Sequence, residues 1–402
     1  MTKWKIILVA LLSLVAVSLS ADIFRFAYTK GEKYRIISQV HESVSVNGVF
    51  SHDVDILDKI AVSVTDTSGD AGYHVASFQA SDRSYGSQSS YEWSEEYTSE
   101  YWRDGRGVYK IDPSYFMPVV RNVPMLPEGD VVVGATWTAK GTESHDFRTY
   151  FGIQEPFQFP ISVGYAYLAN ESRNGIACAV FSIDYEVFHS VTLPQGTTRT
   201  FPTQVSGASH QKCWWDIAAR RPAHYEESFD FLFSFTTGDE IEFKGDSKSD
   251  LVPSPPLDRR QVVDDIKRQL EAQRIPDVSV ESTGSGVKIT LENVNFPPDS
   301  DQLLPAEQDK LRRIADMLRK YPDRDIAVDG FTARAPGYSE DDYRKLSEQR
   351  AKAAADFLLS TGGVDAKRLT ARGQGASSPV GDNSSEEGRR KNRRVEITIL
   401  EN

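Results

Sequence analysis

The stretch Gly330–Ala354, GFTARAPGYSEDDYRKLSEQRAKAA, reads as a strand end, a Pro/Gly loop and a helix. Ser339 is placed to cap that helix, with Asp342 three residues on as its box partner. Glu340 and Asp341 favour the positive end of the helix dipole. Inside the helix lies the run Leu346-Ser347-Glu348-Gln349-Arg350-Ala351. Working outward, strands are expected at Gly286–Phe296, Asp325–Thr332, Lys367–Arg372 and Arg393–Leu400. Helices are expected at Asp258–Arg274, Pro305–Lys320 and Ser339–Thr361, the first with an apolar stripe of Val262, Val263, Ile266 and Leu270. Strands and helices in this order predict an α+β domain, with helices packed on one face of a mixed sheet.

The preceding half reads differently. In Lys33–Val46, Tyr34, Ile36, Val40, Val44 and Val46 share one parity, and Asn47-Gly48 follows as a hairpin turn. Further strands are expected at Lys59–Thr65, Tyr73–Ala80, Val131–Lys140, Ile176–Phe188, Ser228–Phe235 and Glu240–Lys244. The expectation is an all-β domain, an antiparallel sandwich or half-barrel. SKSDLVPSPPL, Ser247–Leu257, is polar and Pro-rich and reads as a linker. The expected layout is a leader over 1–21, the β-domain over 22–245, a linker over 246–257, and the α+β domain with its leading helix over 258–402.

Met1–Ala21 has the form of a secretory signal peptide: Lys3 and Lys5, an apolar run Ile6–Leu19, then Ser20-Ala21. That run is short against the roughly 20 residues that span a bilayer, and no cysteine follows it for lipidation. The chain is therefore expected in the periplasm or associated with an outer membrane. Its only cysteines, Cys178 and Cys213, form one disulfide or stay as buried thiols, and an oxidising compartment favours the disulfide. A formal net charge of -12 over 402 residues argues against nucleic acid as a partner.

From about Gly286 to Glu401, several pieces stand in a recognisable order. They are Asn295-Phe296 with Asp299-Ser300, Ile326–Thr332, Leu346-Ser347 with Arg350-Ala351, Ala371–Gly375 with Pro379, and Gly388-Arg389 with Asn392–Ile397. This segment resembles the OmpA-like peptidoglycan-binding domain. The resemblance implies a pocket for the diamino acid of the peptidoglycan stem peptide, whose free end carries an ammonium and a carboxylate. Family members hold it with an aspartate after the second strand and an arginine from the next helix. Arg350 stands at the arginine position, and a planar guanidinium grips a carboxylate at two points. Ala333 stands where the family has the aspartate, Phe331 where it has histidine, and Tyr343 where it has asparagine. The binding residues so implied are Arg350, Thr332, Ala333, Phe331, Tyr343, Phe296, Asn392 and Arg393. Either the ligand differs, or a nearby acid, Asp329, Glu340, Asp341 or Asp342, replaces the missing carboxylate.

Nothing nominates an enzyme or a cofactor. The seven histidines fall at no metal-ligand spacing, and the cluster His52, Asp53, Asp55 and Asp58 reads as a solvated strand edge. The sequence thus points to a cell-envelope protein that tethers its β-domain, and other envelope proteins with it, to peptidoglycan. Competing readings are a C-terminal domain that kept its fold and lost the ligand, an N-terminal outer-membrane β-barrel, and a β-domain that carries lipid. The segments Pro124–Asp130 with Gly134–Thr138, and Tyr165–Leu168 with Ile176–Val180, resemble exported bacterial β-domains of long antiparallel strands.

Overall fold

The strand read from alternation, β1 (Lys33–Val46), forms over those residues and pairs on both sides. The computed structural model describes residues 23–193, 199–292 and 302–401. The leader expected over 1–21, and Phe296 with its neighbours Asn295, Asp299 and Ser300, lie outside the described residues. After β1 come β2 (Val49–Ser68), β3 (Ala71–Ser84), β4 (Tyr91–Arg103), β5 (Tyr109–Ile111), β6 (Val120–Arg121) and β7 (Thr136–His145). A short helix α1 (Arg148–Phe151) precedes β8 (Phe157–Arg173), β9 (Ile176–Ser190), β10 (Pro202–Asp216), β11 (Arg221–Phe235) and β12 (Glu240–Pro253). These strands pair antiparallel in the order β6-β7-β8-β9-β10-β11-β12-β1-β2-β3-β4-β5. Side chains from distant members of this row, such as Phe78 of β3 and Tyr225 of β11, line one cavity. The sheet therefore curves around its own apolar face, where Phe24, Tyr167, Phe181 and Trp215 meet edge to face. Most of its large apolar side chains share one core inside this curve, while Phe50, Leu168 and Phe188 are exposed.

Two expectations are corrected here. The stretch from Ser247 is not a linker until Ser254, because β12 continues to Pro253 and pairs with β1 along its length. Ser247 and Ser249 occupy inward positions in β12, so small polar residues stand where alternation would have shown apolar ones. Cys178 and Cys213 are both buried free thiols. In the β9–β10 register Cys178 lies opposite Asp216 and Cys213 opposite Phe181. That three-residue offset puts the two sulfurs on opposite faces of the sheet. The expected solvated edge is also divided: Asp55 lies 3.4 Å from Arg83, while Asp58 turns into the enclosed cavity. Among the described residues, no helix is long and apolar enough to cross a membrane, and no three His, Cys, Asp or Glu are grouped to hold a metal ion.

The C-terminal part begins with α2 (Arg259–Ala272), capped by Asp258, whose side chain accepts from the Gln261 N–H. It continues through β13 (Val278–Ser282), β14 (Gly286–Leu291), α3 (Pro305–Leu318), β15 (Ile326–Gly330), α4 (Glu340–Ser360), β16 (Leu369–Gly373), α5 (Glu386–Asn392) and β17 (Val395–Leu400). The strand order is β13-β14-β17-β15-β16, with only β15 and β16 parallel. Val262 and Ile266 of α2, Leu311 and Ile314 of α3, and Ala354 and Leu358 of α4 share one core with Ile289, Val328 and Ile397.

The two sheets join. Tyr91 and Glu92 of β4 pair in parallel with Thr370 and Ala371 of β16. Beside that seam Asp356 accepts from the Ser90 N–H and hydroxyl at 2.6 and 2.8 Å, and Lys352 meets Glu92 at 2.7 Å. Across the outer face of β1 and β2, Asp325 is held by Arg35 at 2.6 Å and by Lys59 at 3.6 Å, all three buried.

Candidate functional site

The helix α4 is seated close to β15, and glycine makes that possible. A Cβ on Gly330 would lie 2.1 Å from the Ser347 carbonyl oxygen, well inside contact distance. The capping box read from sequence is present: Ser339 Oγ accepts from the Asp342 N–H at 3.2 Å, and Asp342 accepts from the Ser339 N–H at 2.8 Å. With its start fixed, α4 presents Asp342, Leu346, Gln349 and Arg350 on one stripe.

That stripe forms one wall of a cavity of about 740 Å3. Thr332, Ala333, Arg334 and Ala335 of the loop after β15 form a second wall, and Arg389 and Arg393 from α5 and its C-cap form a third. Of the residues implied by the resemblance, Arg350, Thr332, Ala333, Tyr343 and Arg393 all line this one space. Arg350 is buried, as is Thr332, whose hydroxyl has no hydrogen-bond partner among the described residues. A buried unpaired hydroxyl is costly to the fold.

Two implied residues do other work. Phe331 is buried beneath Arg394, whose guanidinium sits 3.6 Å above the ring, and it does not face the cavity. Asn392 is fully buried, and its Oδ1 accepts from the Val380 and Gly381 N–H groups at 2.7 and 2.8 Å. Its Nδ2 donates to Asn383 Oδ1, which also receives the Arg334 N–H at 3.0 Å. Asn392 thus builds the loop that carries the pocket and does not line it. Tyr343 has a similar part: its hydroxyl accepts from the Ala335 N–H at 2.9 Å and donates to the Ala335 carbonyl, closing the loop onto α4.

The substitute acids named from sequence separate cleanly. Asp329 is taken by Arg372 at 2.6 Å and Gln374 at 2.8 Å, Glu340 by Arg334 at 2.6 Å, and Asp341 by Lys345 at 2.7 Å. Among the described residues, only Asp342 brings a carboxylate to the cavity wall, against Arg334, Lys345, Arg350, Arg389 and Arg393. The hydrogen bonds from Ser339 hold the Asp342 carboxyl below the ordinary range, so it is an anion at neutral pH. Arg389 and Arg393 share Glu386, each at 2.7 Å, which fixes both heads at the mouth. Arg334, Tyr338, Lys345, Gln349 and Arg389 were not foreseen. Lys345 and Gln349 follow from the helical spacing around Arg350, but Arg389 arrives through a short helix with no apolar period to reveal it.

Residues 295–393 match the sequence model of the OmpA family, so this part of the chain is an OmpA-like domain. The chain is 39% identical over 123 residues to a probable lipoprotein, YiaD, of Escherichia coli (strain K12), covering 30% of this chain and 55% of that one. It is 39% identical over 106 residues to the peptidoglycan-binding protein ArfA of Mycobacterium tuberculosis (strain ATCC 25618 / H37Rv), covering 26% of this chain and 32% of the relative. Among solved structures, the cell wall anchor of the T6SS from Pseudomonas aeruginosa is 37% identical, with 36% of this chain and 97% of that chain covered and a TM-score of 0.29. The chain thus spans from about a third to just over half of these curated relatives.

Proposed function

We propose that this is an exported cell-envelope protein whose C-terminal domain contacts peptidoglycan without a covalent bond and so holds the β-domain near the wall. The similarity to a peptidoglycan-binding protein and to a probable lipoprotein supports envelope association. The proposed division is a β-domain to Pro253, a short connector, and the wall-contacting domain from Asp258 onward. The observation that carries the reading is the cavity lined by buried Arg350 and by Thr332, with Asp342 the one carboxylate on its wall among the described residues. Arg350 takes the free carboxylate of the stem diamino acid. Asp342 takes its ammonium, from the first turn of α4 instead of from position 333.

Co-sedimentation of the mature chain with purified sacculi tests this. The parent protein is expected in the pellet, and Arg350→Ala at least tenfold weaker, as for loss of a charge-assisted contact of about 1.5–3 kcal/mol. Asp342→Asn is expected to weaken retention as well, while circular dichroism checks that both variants are folded. Equal retention of parent and Arg350→Ala would sink the pocket assignment. Failure of the parent to sediment would leave the reading in which the domain kept its fold and lost the ligand.

A further inference from the structure

The enclosed face of the β-domain holds a second, unrelated chamber. A cavity of about 330 Å3 is walled by β1–β4 on one side and β10–β12 on the other. A smaller one of about 60 Å3 shares Ile36, Arg103, Tyr225 and Ser249 with it. At the place where they meet stands Arg103. Its guanidinium lies 3.9 Å from the Phe26 ring centre and 4.8 Å from that of Tyr109. Among the described residues its one hydrogen bond is from Nη2 to the Val123 carbonyl at 3.4 Å, and its Nε has no partner. No carboxylate among the described residues pairs with it. The ionisable groups that bear on it most are the phenols Tyr109, Tyr28, Tyr225 and Tyr34.

A buried charge without a counter-ion is among the most expensive arrangements in a protein. The chamber's acids have an escape that Arg103 lacks. Burial lifts Asp58 to about 6 and raises Glu227 above the ordinary carboxylate range, so both keep a proton to higher pH than an exposed acid does. A guanidinium does not deprotonate under any condition the protein meets. The same burial raises the Tyr34 and Tyr225 hydroxyls above their ordinary range, so they remain protonated donors beside it. Past this donor group the wall turns apolar, through Ile60, Phe78, Met117, Val119 and Val120.

We propose that the chamber binds an organic acid with an apolar body, its carboxylate on Arg103 and the Tyr34 and Tyr225 hydroxyls and its chain along the β2–β3 wall. Arg221 in the small cavity is paired with Glu32, so Arg103 is the cation left to be matched, and one such cation matches a monoanion. A dianionic phosphate would leave a charge unbalanced in a chamber that already holds Asp58 and Glu227. The small end cavity beside Arg103 suits a planar head group, and the larger space suits the chain that follows it. This site is separate from the peptidoglycan reading and stands or falls without it.

The test is titration calorimetry on the mature chain, stripped of bound lipid, with dodecanoate, its methyl ester and dodecyl phosphate. Dodecanoate is expected to bind at least tenfold more tightly than either of the other two. Arg103→Gln is expected to remove that preference, and Met117→Trp, which fills the apolar end, to weaken dodecanoate while Arg103 is untouched. Equal affinity for acid and ester overturns the proposal, as does no binding of dodecanoate. Tighter binding of dodecyl phosphate overturns the choice of a monoanion. Should Arg103→Gln fail to fold, the acid-to-ester ratio of the parent decides the matter alone.

Discussion

Replacing Asp325 by Asn removes one negative charge from a buried group of three and leaves two cations facing each other. Arg35 lies 2.6 Å and Lys59 3.6 Å from its carboxylate, with side chains 8% and 7% exposed. At an effective dielectric constant of about 20, each attraction amounts to roughly 5–6 kcal/mol before desolvation is subtracted. Removing one partner from such a group costs about 3–5 kcal/mol, since the remaining charges stay buried and uncompensated. Every tryptophan lies at or before Trp215, so urea unfolding followed by tryptophan fluorescence reads the domain that holds Arg35 and Lys59. A loss of about 3 kcal/mol or more is expected at pH 7. Burial already lowers the Lys59 pKa, and without Asp325 it falls further. The folded state then binds fewer protons than the unfolded one below the ordinary lysine value, so the deficit shrinks as pH rises toward 10. As a control, Asp66→Asn breaks an exposed, solvent-screened pair with Lys30 and should leave stability nearly unchanged. The combination Arg35→Met, Lys59→Met and Asp325→Leu is expected to recover most of the loss. An Asp325→Asn change no larger than the Asp66 control, or a triple variant as unstable as the single one, would refute the charge argument.

Two other perturbations follow from the same geometry. Glu42 and Asp58 hold their protons up to about 7 and about 6 in the folded chain, because burial disfavours their charge. Unfolded, they release them near the ordinary carboxylate values, so their contribution is most favourable at low pH and is lost as pH rises to about 7. Glu42→Gln is expected to stabilise the β-domain by about 1–3 kcal/mol at pH 8, at about 1.4 kcal/mol per pKa unit, and to flatten its pH slope. Burial pushes His74 down to about 4, and it acts in the opposite sense, so the measurement is the difference between variant and parent. An unchanged slope would contradict the assignment. Gly330→Ala drives a methyl group to 2.1 Å from the Ser347 carbonyl oxygen and must lift α4 from β15. The expected cost is about 2–3 kcal/mol in thermal unfolding followed by circular dichroism, and a change below about 0.5 kcal/mol would count against that seating.

What could be read in advance depended on whether a pattern was local. The Ser339–Asp342 box involves neighbours along the chain, and it formed as read. β1 alternates cleanly and ends in Asn-Gly, and its limits are those of the alternation. By contrast β10, with its polar run SGASHQK, carries little apolar alternation of its own, whereas β8 alternates through Phe157, Phe159, Ile161, Val163, Tyr165 and Tyr167 with Pro160 set among them. β12 hides its inward face behind Ser247 and Ser249 because that face lines a chamber instead of a packed core. In the pocket, Arg350 and Thr332 were legible through the motifs around them. The roles of Asn392 and Tyr343 were not, since a side chain that holds a loop looks in sequence like one that holds a ligand. Asp58 was read as facing solvent for a related reason: the polar positions that line a cavity and those of an outer surface draw on the same residue types.

The extension of β12 to Pro253 also sets a length. Only residues 254–258 separate that strand from the first residue of α2, Arg259. Five residues reach at most about 18 Å when fully extended. Even if the Asp325 contacts and the β4–β16 seam were to open, the chamber and the pocket beside α4 would travel together on a short leash. On the proposed wall-binding reading, whatever the chamber carries would be offered within a few nanometres of the peptidoglycan.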